Sequence, residues 1–144
     1  LVQKYNSFSF LNNDEAKQIL DMVHDREIDL DAVRYDEETH QLILPLTVIS
    51  DVSSRTSHKF GLLRFKHYPI YIGKLIVENL TSWKTFNPDK IRTCMINYIN
   101  LNKSDFAIVG ATSSFVKGVG DNINISLRVF TDEIDEVTKF NGFF

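Results

Sequence analysis

Asn122-Ile123-Asn124-Ile125-Ser126-Leu127-Arg128-Val129-Phe130 is the stretch that decides the fold class of this chain. Apolar side chains stand at 123, 125, 127 and 129 with polar ones between them, the period of a strand that buries one face. The same alternation recurs at Leu42, Leu44 and Leu46, and over most of Ile91 to Leu101. Between such runs lie turn-forming clusters: Asp36 to His40, Asn102 to Ser104, and the pair Gly118 and Gly120. Two alternating runs around a polar turn make a hairpin, so Ile28 to Tyr35 and Leu42 to Leu46 are expected to pair. Pro45 lacks a ladder donor and belongs at an edge or a bulge. Pro69 and Gly73 are expected to cut Leu62 to Leu80 into short strands, and the serine-rich segment Asp51 to Lys59 reads as a loop.

One segment has a different period. Ala16, Ile19, Leu20 and Val23 follow helical spacing, Asn12 and Glu15 form a capping-box-like start, and the helix is expected to stop between His24 and Arg26. The expected fold is therefore mainly β: an antiparallel meander forming a sandwich or a partly open barrel, with one N-terminal amphipathic helix packed against it. The 144 residues carry no repeat or linker and are read as a single domain, residues 1–144.

Composition narrows the function classes. With 43% hydrophobic and 24% charged residues the chain has the make-up of a folded domain, and its 11 phenylalanines favour pleated, half-buried surfaces. The one cysteine, Cys94, excludes a disulfide framework and fits a reducing, cytoplasmic setting, as does the lack of a signal-like opening or a long apolar run. A net charge of −3 gives no general attraction for nucleic acid or a membrane surface. The charge is nonetheless polarised along the chain. Asp14 to Glu38 holds ten acids against Lys17, Arg26 and Arg34, whereas Val52 to Val77 holds Arg55, Lys59, Arg64, Lys66 and Lys74 with no acid. Neighbouring segments of opposite sign that screen one another would account for this, and so would a surface dipole that steers a charged partner.

Chemistry-bearing patterns are sparse. His24, His40, His58 and His67 never fall at the spacing of a helical metal pair, and His24 beside Asp25 suits a helix end as well as acid–base work. Asp29 and Asp31 would share a strand face, but a calcium loop needs a glycine turn that this stretch lacks. Ser113 and Ser114 stand in no nucleophile elbow, and Gly110, Gly118 and Gly120 make no phosphate loop. Arg55 to Tyr68 mixes cations with rings as a single-stranded nucleic-acid surface would, although rings in strands are usually core. No catalytic residue, metal ligand or cofactor is expected.

The hairpin Ile28-Asp29-Leu30-Asp31-Ala32-Val33-Arg34-Tyr35-Asp36 with Leu42-Ile43-Leu44-Pro45-Leu46, then Gly73-Lys74-Leu75-Ile76-Val77 and the closing run Ile123 to Val129, resembles small bacterial all-β domains of unknown function, including immunity-type proteins that accompany polymorphic toxins. The resemblance implies a non-catalytic, toxin-neutralising binding protein. On that reading Asp25, Glu27, Asp29, Asp31, Glu37 and Glu38 would meet a basic partner. A small-molecule-binding β-barrel is the alternative, and its mark would be a closed apolar cavity. The chain ends on Phe143 and Phe144, whose apolar area is expected to dock on the chain's own domain or, less simply, on a second copy in a homodimer.

Overall fold

The computed structural model describes residues 5–10, 19–20, 23–49, 55–59, 61–86, 93–110 and 114–143, with the backbone alone described for 5–10, 58–59, 131–135 and 143. The described residues form ten strands: β1 (Tyr5–Phe10), β2 (Glu27–Asp29), β3 (Arg34–Asp36), β4 (Gln41–Ile49), β5 (Arg55–Lys59), β6 (Leu63–Thr85), β7 (Thr93–Met95), β8 (Tyr98–Leu101), β9 (Asp105–Val109) and β10 (Ser114–Phe143). All pair antiparallel. An eight-stranded sheet runs β3-β4-β6-β10-β9-β8, with β5 added to β6 and β1 to β10, and β2 pairs with β7 in a second, two-stranded sheet. Among the described residues the sheets are open and no barrel closes, so the mainly antiparallel β class holds.

The helix expected up to residues 24–26 falls largely outside the described residues. Of that span, Ile19 and Val23 are fully buried, and the His24 amide donates to the Leu20 carbonyl (2.7 Å). The described residues of that span, Ile19, Leu20 and Val23, have helical backbone, and a 3-10 turn, Leu30–Ala32, follows β2.

Strand β6 has 23 residues and β10 has 30, and they pair from one end of the sheet to the other. Their register comes in blocks: 82–85 with 116–119, 73–78 with 124–129, and 65–70 with 135–140. The surplus residues of β10 are taken up at bulges between the blocks, and a bulge bends and twists the strand that carries it. The breaks expected at Pro69 and Gly73 therefore do not occur. Pro69, which faces Glu136 of β10, lies in the gap between the end of β5 pairing at His67 and the start of β4 pairing at Ile70, so its missing N–H interrupts neither of these outer ladders. Pro45 obeys the same rule, because β3 flanks β4 only as far as Ile43.

Gly118 and Gly120 do not flank a turn either. They lie within β10 at the first bulge, where the Gly120 amide donates to the Ser104 carbonyl (2.9 Å) and the Ile123 amide to Lys103 (3.2 Å). Opposite, Asn79 adopts a left-handed φ of 66° and its side-chain amide donates to the Asn122 carbonyl. Segment 55–59 is a strand, not a loop: an edge strand is held by its backbone, so polar side chains do not preclude it. The run 28–35 is also broken. β2 joins β7, and the Asp29 carboxylate accepts the Asp31 amide to start the 3-10 turn. β3 alone completes the hairpin with β4, through the turn at residues 37–40.

The core lies on one face of this sheet. Leu42, Leu44, Leu46 and Val48 of β4, Leu75, Val77 and Leu80 of β6, and Ile123, Ile125, Leu127 and Val129 of β10 are buried together, as the alternation requires. Arg26 donates to the Thr47 hydroxyl and ties the two-stranded sheet to β4, and the side-chain Oδ1 of Asn102 accepts from the Ser104 and Asp105 amides in the β8–β9 turn. Cys94 is half-buried against the core, and burial pushes its thiol pKa up.

The close approach at the first bulge makes Gly120 sensitive to volume. A Cβ there would lie 2.0 Å from the Asn79 carbonyl oxygen, which is backbone and cannot swing aside. Gly120→Ala should lower unfolding stability by about 1–3 kcal/mol in urea titrations, and a change within about 0.5 kcal/mol would contradict this packing. Phe143 faces Leu63 in the ladder, and the Arg64 guanidinium donates to the Asn141 carbonyl (2.9 Å); the Phe143 side chain and Phe144, on which the expected docking of the tail turns, lie outside the described residues. Deleting residues 142–144 should lower the melting temperature independently of protein concentration; conversion of a dimer into an equally stable monomer in sedimentation would show that the tail serves an interface.

Candidate functional site

The acidic stretch is carried by short elements around β4. Asp25 follows the helical residues in a left-handed conformation (φ 63°), its amide donating to the Ile96 carbonyl, and its carboxylate lies 3.2 Å from His24. Glu27 is exposed in β2, Asp31 is exposed in the 3-10 turn, and Glu37 and Glu38 are exposed in the turn between β3 and β4. Asp29 differs: it is half-buried and its carboxylate is engaged with the Asp31 amide. The pair therefore does not present two carboxylates on one strand face. Among the described residues no group of three or more His, Cys, Asp or Glu side chains could hold a metal ion.

The basic stretch lies elsewhere. β5, the first residues of β6 and the last of β10 form a three-stranded arm, residues 55–59, 63–68 and 136–143. The strands of the acidic stretch pair with β4 and β7, never with this arm. The amide of Leu80 donates to the His40 carbonyl, which seats the turn with Glu37 and Glu38 at the far part of β6. At ~3.3 Å per residue, Leu80 and Lys66 are about 45 Å apart along the strand. β2 is nearer: Arg26 bonds Thr47, which faces Ile72, about 20 Å of strand from Lys66 by the same rise. Opposite charges are thus set out along the molecule and not ladder against ladder.

The two faces of the arm follow from its register. Facing residues in an antiparallel pair share a face, and positions two apart return to it. Arg55, Ser57, Phe65, His67, Glu136, Thr138 and Phe140 fall on one face by this rule, and Lys66, Tyr68 and Lys139 on the other. On the second face the ammonium groups of Lys66 and Lys139 stand 5.4 and 5.3 Å from the centre of the Tyr68 ring. On the first, the Ser57 hydroxyl is 2.5 Å from His67 Nε2, and His67 Nδ1 is 3.1 Å from Glu136 Oε1 and 2.9 Å from the Thr138 hydroxyl. Arg55 donates to the other Glu136 oxygen at 2.5 Å. Phe65 and Phe140 meet edge to face at 5.8 Å beside this network. Sequence reasoning missed it because its members lie on three strands far apart in the chain. The parity of Ser57 and His67 around the β5–β6 turn is the available signal, and the serine-rich composition of 51–59, which reads as a loop, masks it.

A groove of about 830 Å³ runs over β8, β9 and the adjoining ends of β6 and β10, lined among others by Trp83, Lys84, Asn100, Asp105, Phe106 and Lys117. It is open, not a closed apolar cavity. Within it Lys84 and Lys117 face each other directly across the β6–β10 ladder, both exposed.

Compared with known proteins, the chain matches no family model, no curated protein and no solved structure. No helix among the described residues is long and apolar enough to cross a membrane.

Like charges placed directly opposite in a sheet are unfavourable, and opposite ones favourable, by roughly 0.2–1 kcal/mol. Lys117→Glu should accordingly raise stability by about 0.5 kcal/mol, read as a higher urea midpoint with unchanged slope. An unchanged or lower midpoint would show that the two lysines do not repel each other as the register implies.

Proposed function

We propose that this chain is a protein-binding module that engages a basic partner protein through the acidic stretch carrying Asp25, Glu27, Asp29, Asp31, Glu37 and Glu38. The observation that carries the reading is the layout of charge: five of these six side chains are exposed, on elements that pair with β4 and β7 and not with the basic arm. Charges screened by an adjoining strand of opposite sign would be muted at the surface, whereas exposed carboxylates on elements away from the basic arm support a field that steers a cationic partner and speeds encounter. Asp29 contributes by holding the 3-10 turn that presents Asp31. The binding surface needs no covalent chemistry. Such a module is of the kind that neutralises a basic toxin, as the likeness of the strand pattern to immunity-type domains implies, and cytoplasmic residence follows from the same reading.

The test uses the intact chain and a variant in which Glu27, Asp31, Glu37 and Glu38 are each replaced by Lys. From extracts of the source cell at low salt, the wild type should retain a basic protein that elutes as ionic strength rises, while the variant retains none. With the isolated partner, the association rate should fall at least tenfold in the variant. Equal retention by the two chains, or capture of no protein by either, would overturn the proposal.

A further inference from the structure

The polar network on the arm has the connectivity of a nucleophile, a base and an orienting carboxylate. His67 contacts Glu136 and Thr138 through Nδ1; in the tautomer that keeps the proton on that nitrogen, facing the carboxylate, Nε2 presents its lone pair to Ser57. Ser57 then donates its hydroxyl proton into a 2.5 Å contact with Nε2. Arg55 holds the second oxygen of Glu136 and fixes the orientation of the carboxylate. The imidazole is only 15% exposed and the carboxylate 28%, whereas Ser57 sits half-buried on an outer edge strand. Such a constellation is recognised by geometry and not by position in the chain.

A second observation points to what would reach it. Phe65 is the ladder partner of Ser57 and packs edge to face on Phe140, which is 55% exposed. Facing side chains in a ladder have Cβ atoms about 5 Å apart. An aromatic shelf therefore lies directly beside the hydroxyl, on the same face as His67 and Glu136.

We propose that Ser57 is an activated nucleophile that accepts an acyl group from a carboxylic ester whose apolar acyl chain lies on Phe65 and Phe140. His67 acts as its base, and Glu136 is the positioning residue of His67. Ser57 Oγ attacks the ester carbonyl carbon while its proton passes to His67 Nε2. The carbon–oxygen bond to the alcohol breaks, and the alcohol departs with that proton. Water, giving a proton to Nε2, then attacks the acyl carbon; the bond to Ser57 Oγ breaks, Oγ recovers the proton, and the carboxylic acid leaves. The network is independent of the acidic stretch, so the quadruple Lys variant described above should retain this reactivity whether or not it binds a protein.

The experiment treats the intact chain with a fluorophosphonate probe, locates the modified residue by peptide mass spectrometry, and follows hydrolysis of p-nitrophenyl octanoate and acetate. The wild type should be labelled at Ser57 and hydrolyse the octanoate ester at least tenfold faster than the acetate. Ser57→Ala should lose the label, and His67→Gln should label at least 100-fold more slowly. Glu136→Gln should also label slowly, with the rate restored in Glu136→Asp, which keeps the carboxylate; a carboxylate that served only the fold would show no such rescue in variants of equal urea midpoint. Labelling at another residue, a rate unaffected by His67→Gln, or no label on the folded wild type would overturn the proposal. Equal rates on the two esters would overturn the assignment of the acyl chain to the aromatic shelf.

Discussion

The pairing of β6 with β10 is the constraint on which everything else in this molecule rests. Each strand is far longer than the five or six residues of an ordinary strand, and every other strand of the main sheet is added, directly or through a neighbour, to one of the two. β4 and β5 follow one another along the outer edge of β6, and β9 and β1 do so along the outer edge of β10. A ribbon of this length cannot stay flat and bury one face, so its bulges matter as much as its ladders. The first, at Gly120 to Asn124 opposite Asn79, receives the β8–β9 turn; the second, beyond Val129, separates the buried core block from the arm.

This partition explains where chemistry can sit. In the core block, alternating Leu, Ile and Val side chains of β4, β6 and β10 are buried together, with Cys94 packed against them. In the arm the ribbon continues past the core with β5 added along its edge, and both faces carry polar and aromatic side chains in contact across strands. The acidic stretch occupies a third setting, short elements around β4 whose backbones are fixed by Arg26 on Thr47 and by the Tyr35 hydroxyl on the Leu80 carbonyl (2.6 Å). The proposed recognition surface rests on the exposed carboxylates of these short elements, and the proposed proton transfer on the three-strand contact of Ser57, His67 and Glu136.

Much of the core was legible from the sequence, because alternation is a statement about burial. Leu42, Leu44 and Leu46, and Ile123 to Val129, are buried as their spacing requires, and the turns at 37–40 and 102–104 stand where polar clusters put them. What could not be read was continuity. Pro69, Gly73, Gly118 and Gly120 carry the local marks of breaks, yet a proline opposite a gap in the neighbouring ladder and glycines at a bulge are compatible with an unbroken strand. The same limit hid the Ser57–His67–Glu136 contact, which depends on a bulge-shifted register between residues about seventy positions apart. The acidic residues were visible as a run, but their separation from the basic arm is a property of strand order alone.

The continuity of the ribbon is open to direct measurement by interstrand NOEs in solution. The structure places Lys84 opposite Lys117, Leu75 opposite Leu127 and Phe65 opposite Phe140, so close backbone proton contacts are expected in all three blocks, with amides of the core block exchanging slowest. Contacts confined to the first two blocks, with none between residues 65–68 and 137–140, would contradict a ribbon that runs through Pro69 into the arm.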